Sequence, residues 1–449
     1  MLAIIQRMRC TPAFDTPSVI ATLLRRATLL RRATLLRRAA LLQLPYGATP
    51  MQSVSPTRND KSPHRGRRRR NDMRKRLNIA LLEPYYGGSH RLFCDTIVER
   101  SRHNITLVTL PARKWKWRMR AASVWFARDG GDWAHGAEGR GVDVVLCNDM
   151  LSVTDLRALL PRGMRDVPIA CYFHENQLTY PLPPDHIRDF QYGMTNITSC
   201  IAADAVWFNS AFHRDDFLAG ARDLLRKMPD FVPSGVVAEI AAKSQVLPPP
   251  VSLDGGGDRS ARSAGPVNDP ITILWCHRWE YDKNPEPFFD ALAKLDAEKL
   301  PFQLVFLGEQ FRTAPPVFAK TYERLKPRIV HHGFVECRTE YETMLRACDV
   351  VVSTAIQENF GIAVAEAILA GCQPLLPNRL AYPELIPSID WDRCLYDRDD
   401  DLSDRLREII GGRGRLTSVE RARGHTHLTS LWGTATERID DALSDMIGK

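Results

Sequence analysis

The chain has 449 residues, more than one ordinary domain holds, so the length predicts two domains. Hydrophobic residues make up 44% and charged residues 25%, as in soluble globular proteins, and no apolar run is long enough to predict a transmembrane helix. Residues 1–76 carry 18 Lys and Arg against 3 Asp and Glu, which leaves the rest of the chain at −7 despite an overall charge of +8. Bulk charge therefore gives no argument for nucleic-acid binding.

The amino-terminal residues 1–76 form a basic, low-complexity extension. The unit A-T-L-L-R-R repeats from Ala21 to Leu42, and a run R-G-R-R-R-R-N-D-M-R-K-R follows. A six-residue period gives a helix no apolar face, so we predict a disordered extension, with Met73 as the working start and residues 1–72 dispensable. A basic arm for a membrane or RNA and a mitochondrial transit peptide are the alternatives.

From Leu77 onward, short apolar runs alternate with helical patterns. Five such runs precede a Gly/Ser/Asp/Pro-rich linker at residues 251–270, and five follow it. Runs that are apolar throughout predict parallel strands buried on both faces, with crossover helices between them. The runs are L-N-I-A-L-L-E, N-I-T-L-V-T-L, V-D-V-V-L-C-N, V-P-I-A-C-Y-F and A-D-A-V-W-F-N before the linker, then I-T-I-L-W-C-H, F-Q-L-V-F-L-G, R-I-V-H-H-G-F, D-V-V-V-S-T-A and C-Q-P-L-L-P.

These elements predict an α/β protein with two Rossmann-like, doubly wound domains, at residues 77–250 and 271–449, that face a central cleft. Ligands in such domains bind at the carboxyl ends of the strands, so the residues that follow each strand are the candidates for chemistry. The ten cysteines are scattered without a C-x-x-C pair, which argues against a zinc site or disulfides and predicts a cytoplasmic protein.

The segment Q-E-N-F-G-I-A-V-A-E-A, residues 357–367, follows one predicted strand of the second domain. A glycine lets a ligand approach the backbone at a helix start, where N–H groups favour phosphate. We predict that this segment binds a nucleotide sugar, with carboxylates available for sugar and ribose hydroxyls; a capped amphipathic helix with one solvent-facing glutamate is the alternative. The predicted donor-binding residues here are Glu358, Asn359, Phe360, Gly361, Ile362 and Glu366.

Arg278 and Lys283 lie in the polar loop after the first predicted strand of the same domain. Two cations at a strand end suit a diphosphate leaving group, on which negative charge builds as its bond to the sugar breaks. A solvated loop in which Arg278 pairs with Glu280 is the alternative.

Residues 271–376 resemble the second domain of family 4 glycosyltransferases, which have the GT-B fold. The resemblance lies in the order of elements, which is strand, R-x(4)-K, strand, strand, E-x(7)-E. The resemblance implies that Arg278 and Lys283 hold the donor diphosphate, while Glu358 and Glu366 hold the sugar and the ribose. It also implies a retaining, metal-independent reaction without a cofactor. The D-R-D segment at residues 397–399 is interpreted as a turn and helix cap rather than a metal site.

Two features of the first domain lie at predicted strand ends. Gly87 and Gly88 follow the first strand, where they form either a tight turn or a close approach of the backbone to the donor or acceptor. His174 ends the fourth strand; a buried, hydrogen-bonded histidine is the alternative to a functional one. We predict His174 and Glu358 as the catalytic residues, with His174 positioning or polarising the sugar.

Residues 114–120 interleave cations with tryptophans. Cations beside aromatic rings bind phosphates and unstacked RNA bases, whereas the alternative is a surface helix whose tryptophans pack on the core. The predicted acceptor-binding residues are Lys114, Trp115, Lys116, Trp117, Arg118 and Arg120.

Together the motifs resemble the tRNA-queuosine α-mannosyltransferase branch of family 4. They are Y-Y-G-G-S-H, L-P-A-R-K-W-K-W-R, Y-F-H-E-N-Q-L-T-Y-P, D-F-Q-Y-G, F-N-S, H-R-W-E-Y-D-K and the E-x(7)-E loop, and they span residues 77–384. The resemblance implies GDP-mannose as donor and queuosine in the anticodon of an aspartate tRNA as acceptor, with no integral membrane partner. A transferase acting on a lipid or polysaccharide and a non-catalytic RNA-binding protein are the alternatives.

Overall fold

The computed structural model describes residues 76–136, 139, 141–183, 186–250, 270–310 and 315–447. The predicted disordered extension, except for Arg76, and the predicted linker, except for Pro270, lie outside the described residues.

The first domain is a six-stranded parallel sheet with the order β2-β1-β3-β4-β5-β6. Its strands β1–β6 span Asn78–Tyr86, Asn104–Pro111, Val144–Asn148, Ile169–Phe173, Ala205–Phe208 and Ser244–Val246. Its helices α1–α6 span Gly88–Arg100, Trp115–Arg128, Val153–Leu159, Phe190–Ala202, Ala211–Arg226 and Val236–Ala242. The strand order reverses between β1 and β3, so a crevice opens at the carboxyl ends of these two strands.

The second domain repeats this design with the order β12-β11-β10-β7-β8-β9. Its strands β7–β12 span Ile271–Trp275, Phe302–Leu307, Ile329–Gly333, Val350–Val352, Gln373–Pro377 and Leu395–Tyr396. The remaining helices α7–α14 span Pro285–Ala297, Val317–Leu325, Arg338–Ala347, Ile362–Leu369, Trp391–Cys394, Leu402–Ile410, Ser418–Trp432 and Ala435–Asp445. Here the order reverses between β7 and β10.

All ten predicted strands are present, and the predicted two-domain α/β fold is confirmed. Strands β6 and β12 were not predicted, because three and two residues are too short to show a pattern. The predicted burial on both faces holds for β3 and β4, whose residues are all buried, but not for β2. Strand β2 is only half-buried because it lies at the edge of its sheet.

Successive side chains of a strand point to opposite faces, and each face of the first sheet has its own core. Val145, Cys171 and Phe173 pack with Ala122 of α2 and Ile197 of α4 on one face. On the other face, the apolar side of α1 covers the alternate strand residues, among them Leu146 and Tyr172.

Helix α14 packs on the first domain, although the predicted boundary at residues 271–449 assigns it to the second. Ile439 and Leu443 are fully buried in the core that includes Ile79 of β1. The Asp440 carboxylate accepts hydrogen bonds from Ser101 Oγ at 2.6 Å and from the Arg102 backbone N–H at 2.9 Å. The sequence shows that this helix has an apolar face, but not which sheet that face covers.

Among the residues that the structure describes, no helix combines the length and the apolar character needed to cross a membrane.

Candidate active site

Lys283 and Glu358 meet at the point where the second sheet reverses its order. Lys283 follows β7 and Glu358 follows β10, and the Lys283 Nζ lies 3.3 Å from Glu358 Oε2 and 2.9 Å from the Gln357 carbonyl oxygen. The ammonium also lies 3.3 Å from Asp282 Oδ2, and the Lys283 side chain is only 8% exposed. Burial alone would lower the pKa of Lys283, but the carboxylates of Glu358 and Asp282 outweigh it and raise the pKa.

Glu358 also holds the turn that precedes helix α10. Its Oε1 accepts a hydrogen bond from the Gly361 backbone N–H at 3.0 Å, one of the donors that a helix start leaves unpaired. Gly361 has φ +88°, and a Cβ there would lie 3.2 Å from Leu385 Cδ1, so the turn requires glycine. The carboxylate thus fixes the turn before the helix and also contacts the Lys283 ammonium.

The neighbours of Glu358 face in two directions. The Asn359 side-chain amide donates to the His174 carbonyl oxygen at 3.3 Å, which connects this loop to the first domain. Phe360 packs on Trp432 with ring centroids 5.2 Å apart, and Ile362 packs against the same core. The side chains of Phe360 and Ile362 therefore stabilise the loop, which leaves their backbone atoms for any contact with a donor.

Glu366 lies inside the protein. The capped-helix alternative expects a solvent-facing glutamate, which Glu366 is not. Its side chain is 4% exposed, its Oε1 lies 2.7 Å from Arg338 Nη1, and its Oε2 accepts a hydrogen bond from the Tyr341 hydroxyl at 3.0 Å. Burial raises the pKa of Glu366, although Arg338 opposes this effect. Both partners belong to α9, which the sequence did not connect with the predicted donor site.

Arg278 lies in the same loop as Lys283, but its side chain is half exposed. Its Nη2 lies 3.2 Å from Glu280 Oε2, the pairing that the solvated-loop alternative describes. The two predicted diphosphate ligands are thus in different environments, because Lys283 is buried between carboxylates while Arg278 is accessible from the cleft.

His174 ends β4 in a buried cluster. Its backbone N–H donates to Asp149 Oδ1 at 2.8 Å, and its ring lies over the His90 ring with centroids 4.1 Å apart. Burial, together with the nearby His90, holds the pKa of His174 well below its usual value. The ring is therefore neutral, and its buried Nε2 has no hydrogen-bond partner among the described residues.

Sequence reasoning missed the residues that surround His174. Glu83 Oε1 accepts hydrogen bonds at 2.6 Å from Asn148 Nδ2 and from the Tyr85 backbone N–H, and Glu83 Oε2 lies 3.3 Å from His90 Nδ1. Burial would lower the pKa of His90, but Glu83 and nearby carboxylates raise it to about 9. Burial raises the pKa of Asp149 to about 8. Glu83 lies near the carboxyl end of β1 and Asp149 directly follows β3, the two strands that flank the crevice, and this position was the signal that could have identified them.

Two groups of residues carry side chains that metal ions bind: the cluster around His174 and the D-R-D segment. Glu83, His90 and His174 each offer one ligand atom, and the three atoms lie within 4.8 Å of one another. Within the D-R-D segment, Asp397 accepts a hydrogen bond from Asn378 and Asp399 pairs with Arg379, both by contacts under 3 Å. Metal independence stays a prediction.

The two predicted glycines hold the turn between β1 and α1. A Cβ on Gly87 would lie 2.5 Å from the Cβ of Ala112, so the backbone passes too close to the end of β2 for a side chain. Gly88 has φ +53°, in the left-handed region that favours glycine. The tight turn is thus present, at the carboxyl edge where a donor or acceptor would bind.

The predicted acceptor segment begins helix α2. Trp115 is half-buried, with its ring 5.1 Å from that of Tyr192, whereas Trp117 is 64% exposed. Arg118 donates to the Pro111 carbonyl oxygen at 3.1 Å, while Lys114 precedes the helix with φ 56°. The tryptophans therefore divide between the two interpretations: only Trp117 is fully available to a partner.

Comparisons with known proteins match both domains of the chain. A family model described as tRNA-queuosine alpha-mannosyltransferase N-terminal matches residues 78–251, and one described as glycosyl transferases group 1 matches residues 258–422. The tRNA-queuosine alpha-mannosyltransferase of Drosophila melanogaster is 36% identical over 343 residues, covering 73% of this chain and 86% of that protein.

Solved structures show the same fold at low sequence identity. Sucrose-phosphate synthase from Thermosynechococcus elongatus is 14% identical with a TM-score of 0.61, covering 83% of this chain and 99% of that one. Anabaena HepE, solved with UDP and glucose, is 13% identical with a TM-score of 0.55, covering 82% of this chain and 99% of that one. The chain is a glycosyltransferase with the GT-B fold, and it belongs to the tRNA-queuosine α-mannosyltransferase family.

Proposed function

We propose that this enzyme transfers mannose from GDP-mannose to a hydroxyl of queuosine in the anticodon of an aspartate tRNA, in the cytoplasm, with retention and without a metal ion. The observation that carries the proposal is the contact between Asn359 and the His174 carbonyl, because it brings the predicted sugar residues of both domains together. The name of the Drosophila relative supports the acceptor and the sugar. The nine cysteines of the described residues are unpaired, in keeping with a reducing compartment.

In this proposal, Arg278 and Lys283 bind the diphosphate of the donor. The exposed Arg278 guanidinium is accessible to incoming phosphate oxygens, and Lys283 supplies a fixed charge behind it. Negative charge grows on the diphosphate as the glycosidic bond breaks, so cations held in place stabilise the transition state more than the ground state. The Lys283 ammonium then shares its interaction between Glu358 and the leaving group.

The sugar lies between His174 and Glu358, and the backbone of Gly87 and Gly88 borders it. A neutral His174 ring can position a sugar hydroxyl without adding a further positive charge to those of Arg278 and Lys283. Glu358 accepts hydroxyl hydrogen bonds while its other oxygen holds Gly361. Glu366 binds the ribose hydroxyls of the nucleotide, next to Arg338 and Tyr341.

On the acceptor side, the segment from Lys114 to Arg120 contacts the anticodon arm. The cations bind phosphates, and the exposed Trp117 stacks on an unpaired base.

The proposal is tested by incubating the enzyme with radiolabelled GDP-mannose and tRNA from cells with or without queuosine. Label should enter only queuosine-containing tRNA, and nuclease digestion should recover it on the modified nucleoside. GDP-galactose or UDP-glucose as donor, and EDTA in the reaction, complete the design. Transfer to both tRNA pools would contradict queuosine as the acceptor, and transfer to lipid or polysaccharide only would contradict tRNA as the substrate. Loss of activity with EDTA would contradict metal independence.

A further inference from the structure

A cationic surface without acidic partners lies at the start of α2. Residues 113–120 contain five Lys and Arg, and in the part of the chain that the structure describes none of them pairs with a carboxylate. Cations elsewhere in this domain do pair: Arg157 lies 2.6 Å from Asp204, and Lys243 lies 3.5 Å from Glu239. Five cations within eight residues, without a carboxylate partner among the described residues, suit an anionic partner.

The first turn of α4 adds aromatic rings to this charge. Arg120 Cζ lies 5.0 Å from the ring centroid of Tyr192, and its Nη2 donates to Gln191 Oε1 at 2.7 Å. Phe190 is 45% exposed, and Lys227 Nζ lies 5.7 Å from its ring centroid. These residues lie outside the core, where α2 contributes Ala122 and Phe126 and α4 contributes Ile197 and Cys200.

The position of these turns places them beside the candidate active site. Helices α2 and α4 follow strands β2 and β4, so both begin at the carboxyl edge of the first sheet, where His174 lies. We define the α2–α4 surface as Lys116, Trp117, Arg120, Phe190, Tyr192 and Lys227.

Exposed aromatic rings among unpaired cations are typical of single-stranded nucleic-acid binding. Aromatic faces stack on unpaired bases, and cations beside them bind the intervening phosphates. A membrane surface would instead require a continuous apolar face next to the cations. Helix α2 buries Met119, Ala122 and Phe126 in the protein and exposes two large apolar side chains, Trp117 and Val124, which are too few for such a face.

We propose that the α2–α4 surface binds the unpaired nucleotides next to the one that is modified. Phe190 stacks on one base and Trp117 on another, while Lys227 and Arg120 bind phosphates between them. This inference rests on the proposed function only in that the acceptor is an RNA loop, and it adds the α4 turn and Lys227 to the acceptor site.

Binding of a fluorescent single-stranded RNA of about ten nucleotides to the full chain tests the stacking step. Phe190→Ala should weaken binding by about 5- to 150-fold, the loss expected for one stacked base. Phe231→Ala is the matched control, because Phe231 is 98% exposed in the same domain and has no cation over its ring among the described contacts. Equal effects of the two substitutions, or none for Phe190→Ala, would overturn the proposal.

The salt dependence of the same binding tests the phosphate step. Lys227→Gln should reduce the slope of log affinity against log salt by about 0.7, one phosphate contact to a single strand. Arg226→Gln is the control and should leave the slope unchanged, because Arg226 lies outside the α2–α4 surface and its guanidinium lies 3.5 Å from Asp223. An unchanged slope in Lys227→Gln would remove Lys227 from the surface and refute the phosphate contact.

Three further measurements separate this inference from the proposed function. GDP affinity by calorimetry should be unchanged in Phe190→Ala and Lys227→Gln; a loss would mean that these residues are structural. Anionic vesicles should not compete with the RNA, and competition would indicate a membrane surface instead. Weakened RNA binding together with failed mannose transfer by the unaltered enzyme would support the surface but contradict the proposed reaction.

Discussion

Replacing Lys283 by methionine tests whether the buried cation organises the candidate donor site. The side chain is 8% exposed, and its ammonium lies 3.3 Å from both Asp282 Oδ2 and Glu358 Oε2. Methionine keeps most of the volume but leaves two carboxylates, one of them 1% exposed, without their cation. Removing one partner of a buried ion pair costs about 3–5 kcal/mol, so we expect the free energy of unfolding to fall by about this amount near neutral pH.

The loss should depend on pH in a definite direction. Without Lys283, the anionic forms of the Asp282 and Glu358 carboxyls lose the cation that lies 3.3 Å from each of them, whereas protonation removes the charge that needs this cation. The deficit of Lys283→Met should therefore shrink as the pH falls toward about 4, near the unfolded carboxyl values.

Urea unfolding of the enzyme and of Lys283→Met, followed by tryptophan fluorescence across this pH range, measures both effects. Glu358→Gln and the double substitution complete a double-mutant cycle, in which the carboxyl change should recover part of the loss. GDP should stabilise the unaltered enzyme and have little effect on Lys283→Met. A deficit below about 1 kcal/mol, typical of an exposed pair, or a deficit independent of pH, would refute the reasoning.

Three other predictions concern single residues. Glu366→Ala should weaken GDP binding in calorimetry and raise KM more than it lowers kcat, because ribose contacts belong to substrate and product alike. Glu358→Ala should mainly lower kcat. The opposite pattern would exchange the roles of the two glutamates. The His90 pKa of about 9 lies above its unfolded value, so the contribution of His90 to stability is complete below about pH 6.5 and is lost as the pH rises through 9. His90→Gln should therefore remove up to about 3 kcal/mol of this pH dependence, as measured by urea titrations at several pH values. An unchanged pH profile would contradict the pairing of His90 with Glu83. Leu443→Ala should destabilise the first domain by about 2–5 kcal/mol in thermal unfolding while the exposed Ile447→Ala has no effect, and equal effects would mean that α14 is not part of that core.

The fold and much of the cleft could be predicted because buried parallel strands have a pattern that is easily recognised in the sequence. A run such as V-V-L-C-N is apolar throughout because it is buried on both faces, and the polar residues after it necessarily lie at one edge of the sheet. This reasoning predicted that Arg278, Lys283 and Glu358 occupy one edge. It could equally have identified Glu83, near the carboxyl end of β1, and Asp149, which directly follows β3.

Contacts between helices were beyond such reasoning. The partner of Glu366 is Arg338 on α9, and nothing in the residue types of either segment specifies how the two helices pack. The tryptophans of α2 are an intermediate case. Residues two positions apart point about 200° apart around a helix, so Trp115 and Trp117 could not both face the core. Both interpretations of the segment treated the two rings alike, whereas the structure exposes Trp117 and half-buries Trp115.

The return of α14 to the first domain has a consequence for how the protein folds during synthesis. In sequence, the second domain is an insertion: Ile79 and Phe93 are translated before it, and Ile439 and Leu443, which complete their core, are translated after it. Domains generally fold in order of synthesis. Here the second domain can close its own core while the sheet of the first still exposes an apolar face. The domain that leaves the ribosome first is the one that finishes folding last.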